Sequence, residues 1–317
     1  STRYRTFHLA AELSRRGHFS SVVPLSIFEK SPSMGNDYDF VIFHRPRITP
    51  ETVDFFVKHE QSRAIIADFD DLIFDVALSN FTPAVRVRKS DPIGIRVNLA
   101  SFAAACRMVS TCTTSTTPLR DRMIALFGID NDRAHVIPNG VDSGYLGICT
   151  LALQGAPPER PYRYGYFSAG TQTHDLDFEI AASALARAMR ADRRARMLVV
   201  GPVKIPSSLT PYSDRITQLP LVAFHELPFL KSTVRTVIAP LEDTPFNSAK
   251  SGLKFWEAAL VGCTVAATPI PDIDRFESPL LKKCKNEDDW DFALQQEVPD
   301  TAIIRDEVKR ISRSEER

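Results

Sequence analysis

The feature of this sequence that most constrains its fold is a repeated alternation of strand-like and helix-like segments. Short apolar runs at residues 40–43, 64–67, 164–167 and 197–200 are separated by stretches with helical spacing of apolar residues, such as 50–60, 95–106 and 177–191. Parallel strands need long crossover connections, which are usually helices, so strands that alternate with helices indicate a mainly parallel sheet. The sequence therefore predicts an α/β protein.

Two such patterns follow one another along the chain. A chain of 317 residues exceeds what one hydrophobic core usually organises, and residues 143–161, rich in proline and without periodicity, are typical of an interdomain linker. We expect one Rossmann-like domain over residues 1–150 and a second over 151–317 that ends in a charged helix. Further strands are predicted at 19–25, 108–111 and 221–224, and a helix at 250–260.

Composition excludes several classes of protein. The 39 basic and 39 acidic residues cancel, so no field attracts nucleic acid. The five cysteines are scattered, without the spacing of a zinc site, and are predicted to be reduced and structural. There is no apolar run of the roughly 20 residues that span a membrane and no signal-peptide pattern, so a cytoplasmic location is expected.

The loop after the apolar run 164–167 is a candidate phosphate site. It reads Ser168-Ala169-Gly170-Thr171-Gln172-Thr173-His174 and leads into a helix near Asp177. Small and hydroxylated residues at a helix start allow a phosphate to approach the backbone amides and the positive helix end. The same residues could instead form a loop capped by Asp175 or Asp177.

A second candidate follows the strand-like run 234–239 and includes Asn247, Ser248, Ala249, Lys250 and Ser251. A helix that starts near Ser248 would place Lys250 and Lys254 one turn apart, with Glu257 one turn further on. This arrangement provides cations for a diphosphate and a carboxylate for ribose hydroxyls. Charged residues at this spacing could also be a solvated helix face.

Acidic residues and two histidines complete the candidates. The run Asp68-Phe69-Asp70-Asp71 ends a buried strand, where carboxylates can bind a metal, act as a general base on a hydroxyl, or cap a helix and bind arginines. His225 could contact a nucleobase, and His44 follows the strand at 40–43 and is expected to face a cleft between the two domains. A lone histidine is more often structural.

The order of these segments resembles the retaining glycosyltransferases of family 4, the "glycosyl transferases group 1" enzymes of bacterial polysaccharide synthesis. The most specific stretches are Ile137-Pro138-Asn139-Gly140-Val141-Asp142 and Pro245-Phe246-Asn247-Ser248-Ala249-Lys250-Ser251, the latter followed by Lys254 and Glu257. The resemblance implies a GT-B fold, in which two Rossmann-like doubly wound domains face each other across a cleft. The N-terminal domain would bind the acceptor, and the C-terminal domain the nucleotide sugar.

The resemblance also implies roles for single residues. Glu257 matches the second glutamate of the family's paired-glutamate motif, which grips the donor ribose, whereas Ala249 replaces the first. Sugar recognition would then shift to Asn247, Ser248, Lys250 and Ser251. Relatives place an arginine and a lysine where this chain has Thr171, Thr173 and His174, so Lys250 and Lys254 are the expected replacements.

The implied reaction moves a hexosyl or deoxyhexosyl group from a nucleotide diphosphate sugar to a glycan or lipid-linked glycan, with retention. Asp71 or Asp70, rather than Asp68, would orient or deprotonate the acceptor hydroxyl, and Lys250 would stabilise charge. No metal or other cofactor is expected. A lipid-linked acceptor or a polysaccharide-assembly partner would bring the enzyme to the inner face of the membrane. The alternatives are a catalytically silent module that binds a glycan or a partner, and a sugar-nucleotide epimerase.

Overall fold

The computed structural model describes residues 2–59, 64–87, 90–170 and 174–315. The chain divides into two compact units. The first comprises Ser1–Asp142 and Thr244–Ser251, and the second comprises Ser143–Asp243 and Gly252–Arg317. A short segment from the second half of the sequence thus belongs to the first unit. The predicted domain boundary at residue 150 lies inside a helix of the second unit.

The first unit is built on a parallel sheet whose four strands occur in the order β1-β2-β3-β4. The strands are β1 Phe40–His44, β2 Ala64–Phe69, β3 Thr111–Thr114 and β4 Ala134–Val136. In the register of the sheet, His44 pairs with Asp68, and Asp68 pairs with Thr113. Because the strands are parallel, the polar residues that end each strand collect at one edge.

Local sequence explains where the longest α-helices of the first unit begin. The α-helices of this unit are α1 His8–Arg15, α2 Leu25–Phe28, α3 Pro50–His59, α4 Pro83–Arg86, α5 Pro92–Met108 and α6 Thr117–Phe127. The Asp91 carboxylate accepts from the backbone of Ile93 and Gly94 and Pro92 opens the helix, as expected at a helix N-terminus. A π-helix covers Arg3–Phe7, and 3₁₀ turns cover Pro32–Asp37, Val76–Phe81, Asn131–Arg133 and Asn247–Ala249.

One predicted strand of this unit is wrong, and another is displaced along the chain. Residues 19–24 form no regular element and α2 begins at Leu25, although the segment is apolar. This segment and the edge strand β1 both line a cavity of about 680 Å³, and among the described residues β1 pairs with β2 rather than with this segment. An unpaired segment does not form the backbone hydrogen bonds of a sheet. The strand predicted at 108–111 begins instead at Thr111, because α5 continues to Met108.

The second unit contains a parallel sheet of six strands in the order β10-β9-β8-β5-β6-β7. They are β5 Tyr162–Phe167, β6 Met197–Val200, β7 Ile216–Leu219, β8 Val234–Ala239, β9 Thr264–Ala267 and β10 Leu281–Lys283. Counted from its first strand, the sheet has the order 3-2-1-4-5-6 of a doubly wound dinucleotide-binding fold. The strand order reverses between β5 and β8, and ligands of such folds bind beyond the carboxyl ends of those strands.

The helices of the second unit include one where the sequence predicts a linker. They are α7 Ser143–Gln154, α8 Asp175–Ala191, α9 Leu227–Ser232, α10 Leu253–Ala259, α11 Pro271–Asp274, α12 Glu287–Gln295 and α13 Thr301–Glu315, with 3₁₀ turns at Ser207–Arg215 and Phe224–Glu226. Much of the predicted linker 143–161 is therefore α7, which buries Tyr145, Leu146, Cys149 and Ala152. The strand predicted at 221–224 is also wrong, because β7 ends at Leu219.

Each unit has its own hydrophobic core. The first centres on aromatic residues such as Phe56, Phe69 and Phe74 and also contains Phe246 and Ala249. The second is formed largely by β5, β6 and one face of α8. All five cysteines are buried and free, as predicted. None of the helices in the described ranges has the length and hydropathy needed to cross a membrane.

Candidate functional site

Asp68 is the structural centre of the carboxyl edge of the first sheet. Its side chain is 2% exposed. It accepts hydrogen bonds from Arg5 Nε at 3.1 Å and Thr113 Oγ1 at 2.8 Å, and a further one from the Arg5 guanidinium. Burial opposes the charged carboxylate, but hydrogen bonds from His44 and Arg5 outweigh it and lower the pKa of Asp68. Both oxygens of Asp68 accept hydrogen bonds, and they connect Arg5, His44 and Thr113 at this edge of the sheet.

His44 is oriented by the same carboxylate. Its Nδ1 lies 2.9 Å from Asp68 Oδ2, and because a carboxylate only accepts, Nδ1 is the donor. The other ring nitrogen, Nε2, lies 3.7 Å from Asp70 Oδ1 and has no hydrogen-bond partner among the described residues. The structure therefore places the predicted acceptor-side histidine next to the acidic run, with one nitrogen not engaged in the protein's own hydrogen bonds.

Asp70 forms a shorter hydrogen bond with Arg45 than Asp71 does. Arg45, a non-glycine residue at φ 53°, donates from Nε to Asp70 at 2.6 Å and approaches Asp71 Oδ2 only to 3.5 Å. Asp71 Oδ1 is buried without a hydrogen-bond partner in the described part of the chain, while the side chain as a whole is 27% exposed. Burial, with help from Asp70, raises the pKa of Asp71 against the opposing charges of Arg45 and Lys250.

The segment Thr244–Ser251 brings predicted donor residues to this same edge. Thr116 donates to the carbonyl of Ala249 at 2.8 Å, and Asn139 donates to the Ser251 hydroxyl at 2.8 Å. Lys250 lies between these two hydrogen-bonded residues. Its positive charge is close enough to Asp71 to oppose the rise in the pKa of that carboxyl group. Lys250, Ser251 and the buried Asn247 and Ala249, together with Ser248, thus belong to the first unit.

This placement corrects the predicted helix over 250–260. Residues Asn247–Ala249 form a separate 3₁₀ turn, Lys250 has extended backbone with ψ 159°, and α10 begins only at Leu253. Lys250 and Lys254 are therefore not one turn apart on a common helix. The extended residue at 250 interrupts the helical spacing on which the prediction rested.

In the second unit, Asp177 joins the two loops that flank the point where the strand order reverses. Its Oδ2 lies 2.7 Å from His174 Nδ1, and its Oδ1 accepts from the backbone of Glu242 at 2.8 Å. His174 immediately precedes α8, and Glu242 follows β8. Asp177 is the third residue of α8, whose N-cap is His174, so neither Asp175 nor Asp177 is the N-cap.

The described part of the loop after β5 contains a buried hydroxyl group. Ser168 and Gly170 lie between β5 and α8, and the buried Ser168 hydroxyl has no hydrogen-bond partner among the described residues. Gly201, at φ 112°, lies against this loop so closely that a Cβ there would be 1.8 Å from the Ser168 carbonyl oxygen. Thr171 and Thr173, also predicted to bind phosphate, lie outside the described residues.

Lys254 and Glu257 both lie on α10, near the end of β5. Lys254 Nζ is 5.2 Å from the centroid of the Tyr166 ring. Glu257 forms an ion pair with Lys231, whose Nζ is 2.6 Å from Glu257 Oε2. The sequence did not single out Lys231, which lies on α9, 26 residues from its partner. His225, the remaining candidate, is exposed in the 3₁₀ turn that precedes α9.

Comparison with known proteins identifies the fold. No family model and no curated protein sequence matches this chain. Among solved structures, HepE of Anabaena in complex with UDP is 16% identical, with a TM-score of 0.58 over 92% of this chain and 78% of that one. Sucrose-phosphate synthase of Thermosynechococcus elongatus is 14% identical, with a TM-score of 0.58 over 92% and 76%.

WaaG, a glycosyltransferase involved in lipopolysaccharide biosynthesis, gives a TM-score of 0.56 at 10% identity, over 97% of this chain and 89% of that one. At such identities the likeness shows the fold alone. The prediction of an α/β protein of GT-B type, with a parallel sheet in each unit, is confirmed.

Proposed function

We propose that this chain transfers a hexosyl or deoxyhexosyl group from a nucleotide diphosphate sugar to a hydroxyl of a glycan or lipid-linked glycan, with retention. The observation that carries the proposal is the doubly wound sheet of the second unit, whose reversal point is flanked by the loops of Ser168 and Glu242. Its likeness in fold to HepE, solved with UDP, supports a uridine nucleotide as the first donor to test.

The donor would bind at the carboxyl ends of β5 and β8. The diphosphate meets the amino end of α8, a helix of 17 residues, near Gly170 and His174. Thr171 and Thr173 stay predicted partners outside the described residues. Lys254 supplies positive charge, Glu257 accepts hydrogen bonds from the ribose hydroxyls, and His225 contacts the base. In this proposal the site uses no metal or other cofactor.

The acceptor would bind at the carboxyl edge of the first sheet. Asp71 is the carboxylate most suited to orient its hydroxyl, since Asp68 is saturated and Asp70 is held by Arg45. Lys250 favours the charged form of Asp71. As the bond between the anomeric carbon and the diphosphate breaks, the acceptor oxygen forms its new bond on the same face, and the leaving diphosphate takes the acceptor's proton.

The biological setting proposed is synthesis of a bacterial surface polysaccharide, with the enzyme in the cytoplasm or at the inner face of the membrane. A lipid-linked acceptor would account for recruitment to that surface. The fold likeness to WaaG, involved in lipopolysaccharide biosynthesis, is compatible with this setting.

Thermal-shift screening against UDP, GDP, dTDP and CMP sugars tests the donor assignment. A true donor at ~100 times its dissociation constant stabilises the protein by about 2.7 kcal/mol. The shift should be lost in Glu257→Gln and kept in Glu297→Gln, because Glu297 is 80% exposed. Asp71→Asn should keep the shift but lower transfer by about 10²-fold through lost orientation. If the wild type binds none of these nucleotides, the proposal fails.

One observation favours a second candidate, a catalytically silent module that binds a glycan or a partner. Ala249, which replaces the family's first glutamate, is 3% exposed and packs in the core of the first unit. No acidic side chain at that position is available to hold the sugar. Nucleotide binding without transfer or hydrolysis of any donor, by the full chain, would establish this alternative.

A further inference from the structure

The ammonium group of Lys231 is fixed from several sides within the second unit. The residue is 2% exposed on α9, and its Nζ lies 2.6 Å from Glu257 Oε2 and 5.5 Å from the centroid of the Phe167 ring at the end of β5. Its backbone carbonyl accepts from the Cys263 thiol at 3.1 Å. Both the charge and the main chain of Lys231 are therefore held in place.

A buried ion pair of this kind is a poor source of stability but a strong constraint. Moving an ammonium and a carboxylate out of water costs free energy that their attraction only partly returns, whereas removal of one partner leaves a buried charge uncompensated. Glu257 is 12% exposed, so a change at Lys231 acts directly on its charge and orientation. Lysine is a compact point charge, which suits a single short contact to one carboxylate oxygen.

We infer that Lys231 is a positioning residue for Glu257: it keeps the carboxylate charged and oriented so that the vicinal hydroxyls of a ribose can donate to it. The inference rests on the proposed function, because it takes Glu257 as the ribose-binding group. It adds a residue on a different helix to the nucleotide site. Lys231 itself does not touch the nucleotide.

Several other ionisable groups lie near the ion pair. Burial raises the pKa of the Cys149 thiol on α7 to about 12, and it also raises the pKa of Cys263, so both remain neutral thiols near neutral pH. Arg160 donates to the carbonyls of Val234 and Val261, and Lys254 lies by Tyr166. The ion pair that fixes one oxygen of Glu257 is the contact of 2.6 Å with Lys231 Nζ.

Lys231→Met tests the inference through pH. Without its counter-charge the buried Glu257 takes up a proton more readily, so its pKa rises and the carboxylate forms only as pH increases. We expect the UDP affinity, measured by calorimetry, to fall about 10–100-fold at pH 6.5, which is the loss typical when a group that orients a metal ligand is removed. The affinity should recover in part at pH 8.5. Glu257→Gln should bind weakly at both pH values.

The double variant Lys231→Met/Glu257→Gln covers the case in which Lys231→Met fails to fold, because it leaves no unpaired charge. Its UDP affinity should equal that of Glu257→Gln alone, since Lys231 acts only through Glu257. A further loss in the double variant, or a pH-independent affinity in a folded Lys231→Met, would overturn the inference and leave the proposed function intact. If the wild type binds no nucleotide, both fail.

Discussion

Asp68 and Asp71 are close in sequence but opposite in electrostatic environment. Hydrogen bonds lower the pKa of Asp68, whereas burial raises that of Asp71. The partners that distinguish them come from distant parts of the chain: Arg5 lies 63 residues from Asp68, and Thr113 lies 45 residues away. The sequence could mark the acidic run as a candidate site, but it could not assign separate roles without these contacts.

Asp68→Ala should destabilise the protein by about 3–5 kcal/mol, because it leaves Arg5 buried without its counter-charge. Urea unfolding at pH 7 measures this loss. Because the folded pKa of Asp68 is depressed, its contribution is present above the ordinary value of 3.8 and is lost as pH falls through the folded value. The variant should therefore also lose less stability on acidification than the wild type.

Asp71→Ala is the matched control for Asp68→Ala. Its carboxylate is partly exposed and Arg45 keeps Asp70 as a partner, so a loss of similar size is not expected. Equal destabilisation by the two variants would contradict the distinction between a structural and a substrate-facing aspartate.

At the scale of secondary structure, periodicity predicted most elements because apolar spacing reports which face is buried. The strand at residues 197–200 has the predicted bounds, and α8 begins two residues before the predicted start. Apolar spacing gave a wrong prediction where contacts with residues distant in sequence determine the secondary structure. Segment 19–24 pairs with no strand in the described part of the chain. Lys250 has extended backbone, and its neighbours Ala249 and Ser251 are bonded to Thr116 and Asn139.

The loops after β5 and β6 lie in close contact, with the backbone of Gly201 against the carbonyl of Ser168. Gly201→Ala combines a left-handed φ of 112° with a Cβ placed 1.8 Å from the Ser168 carbonyl oxygen. Backbone strain alone costs about 1–3 kcal/mol, and the clash displaces the loop proposed to bind phosphate. We expect a lower urea midpoint together with weaker nucleotide binding.

Gly128→Ala separates strain from displacement. Gly128 has φ 62°, and no atom of the described residues lies within 4 Å of the added Cβ. The variant should therefore lose about 1–2 kcal/mol of stability by strain and keep its nucleotide affinity. If Gly201→Ala behaves like this control, the approach of the Ser168 loop does not shape the phosphate site.

At the scale of the whole molecule, the chain does not divide at a single point. Thr244–Ser251 leaves the second unit after β8, contributes Phe246 and Ala249 to the first core, and returns before α10. Length and a proline-rich stretch predicted two contiguous domains, since such signals describe the chain only in order. These signals could not predict that Thr244–Ser251 belongs to the first unit. An apolar residue such as Phe246 is compatible with either core until its contacts are known.

Phe246→Ala tests this division. Phe246 is 2% exposed, and removing a buried phenyl ring typically costs about 3–5 kcal/mol. Although the residue follows β8 in sequence, the loss should appear in the first unit, as faster hydrogen exchange of amides in β2 and β3 than in β5 and β6. Phe178→Ala, a fully buried phenyl in the second core, should give the reverse pattern. If faster exchange in Phe246→Ala were confined to β5 and β6, the segment Thr244–Ser251 would belong to the second unit. Lys250 would then belong to that unit too, whereas its proposed action on Asp71 requires both residues to belong to the first.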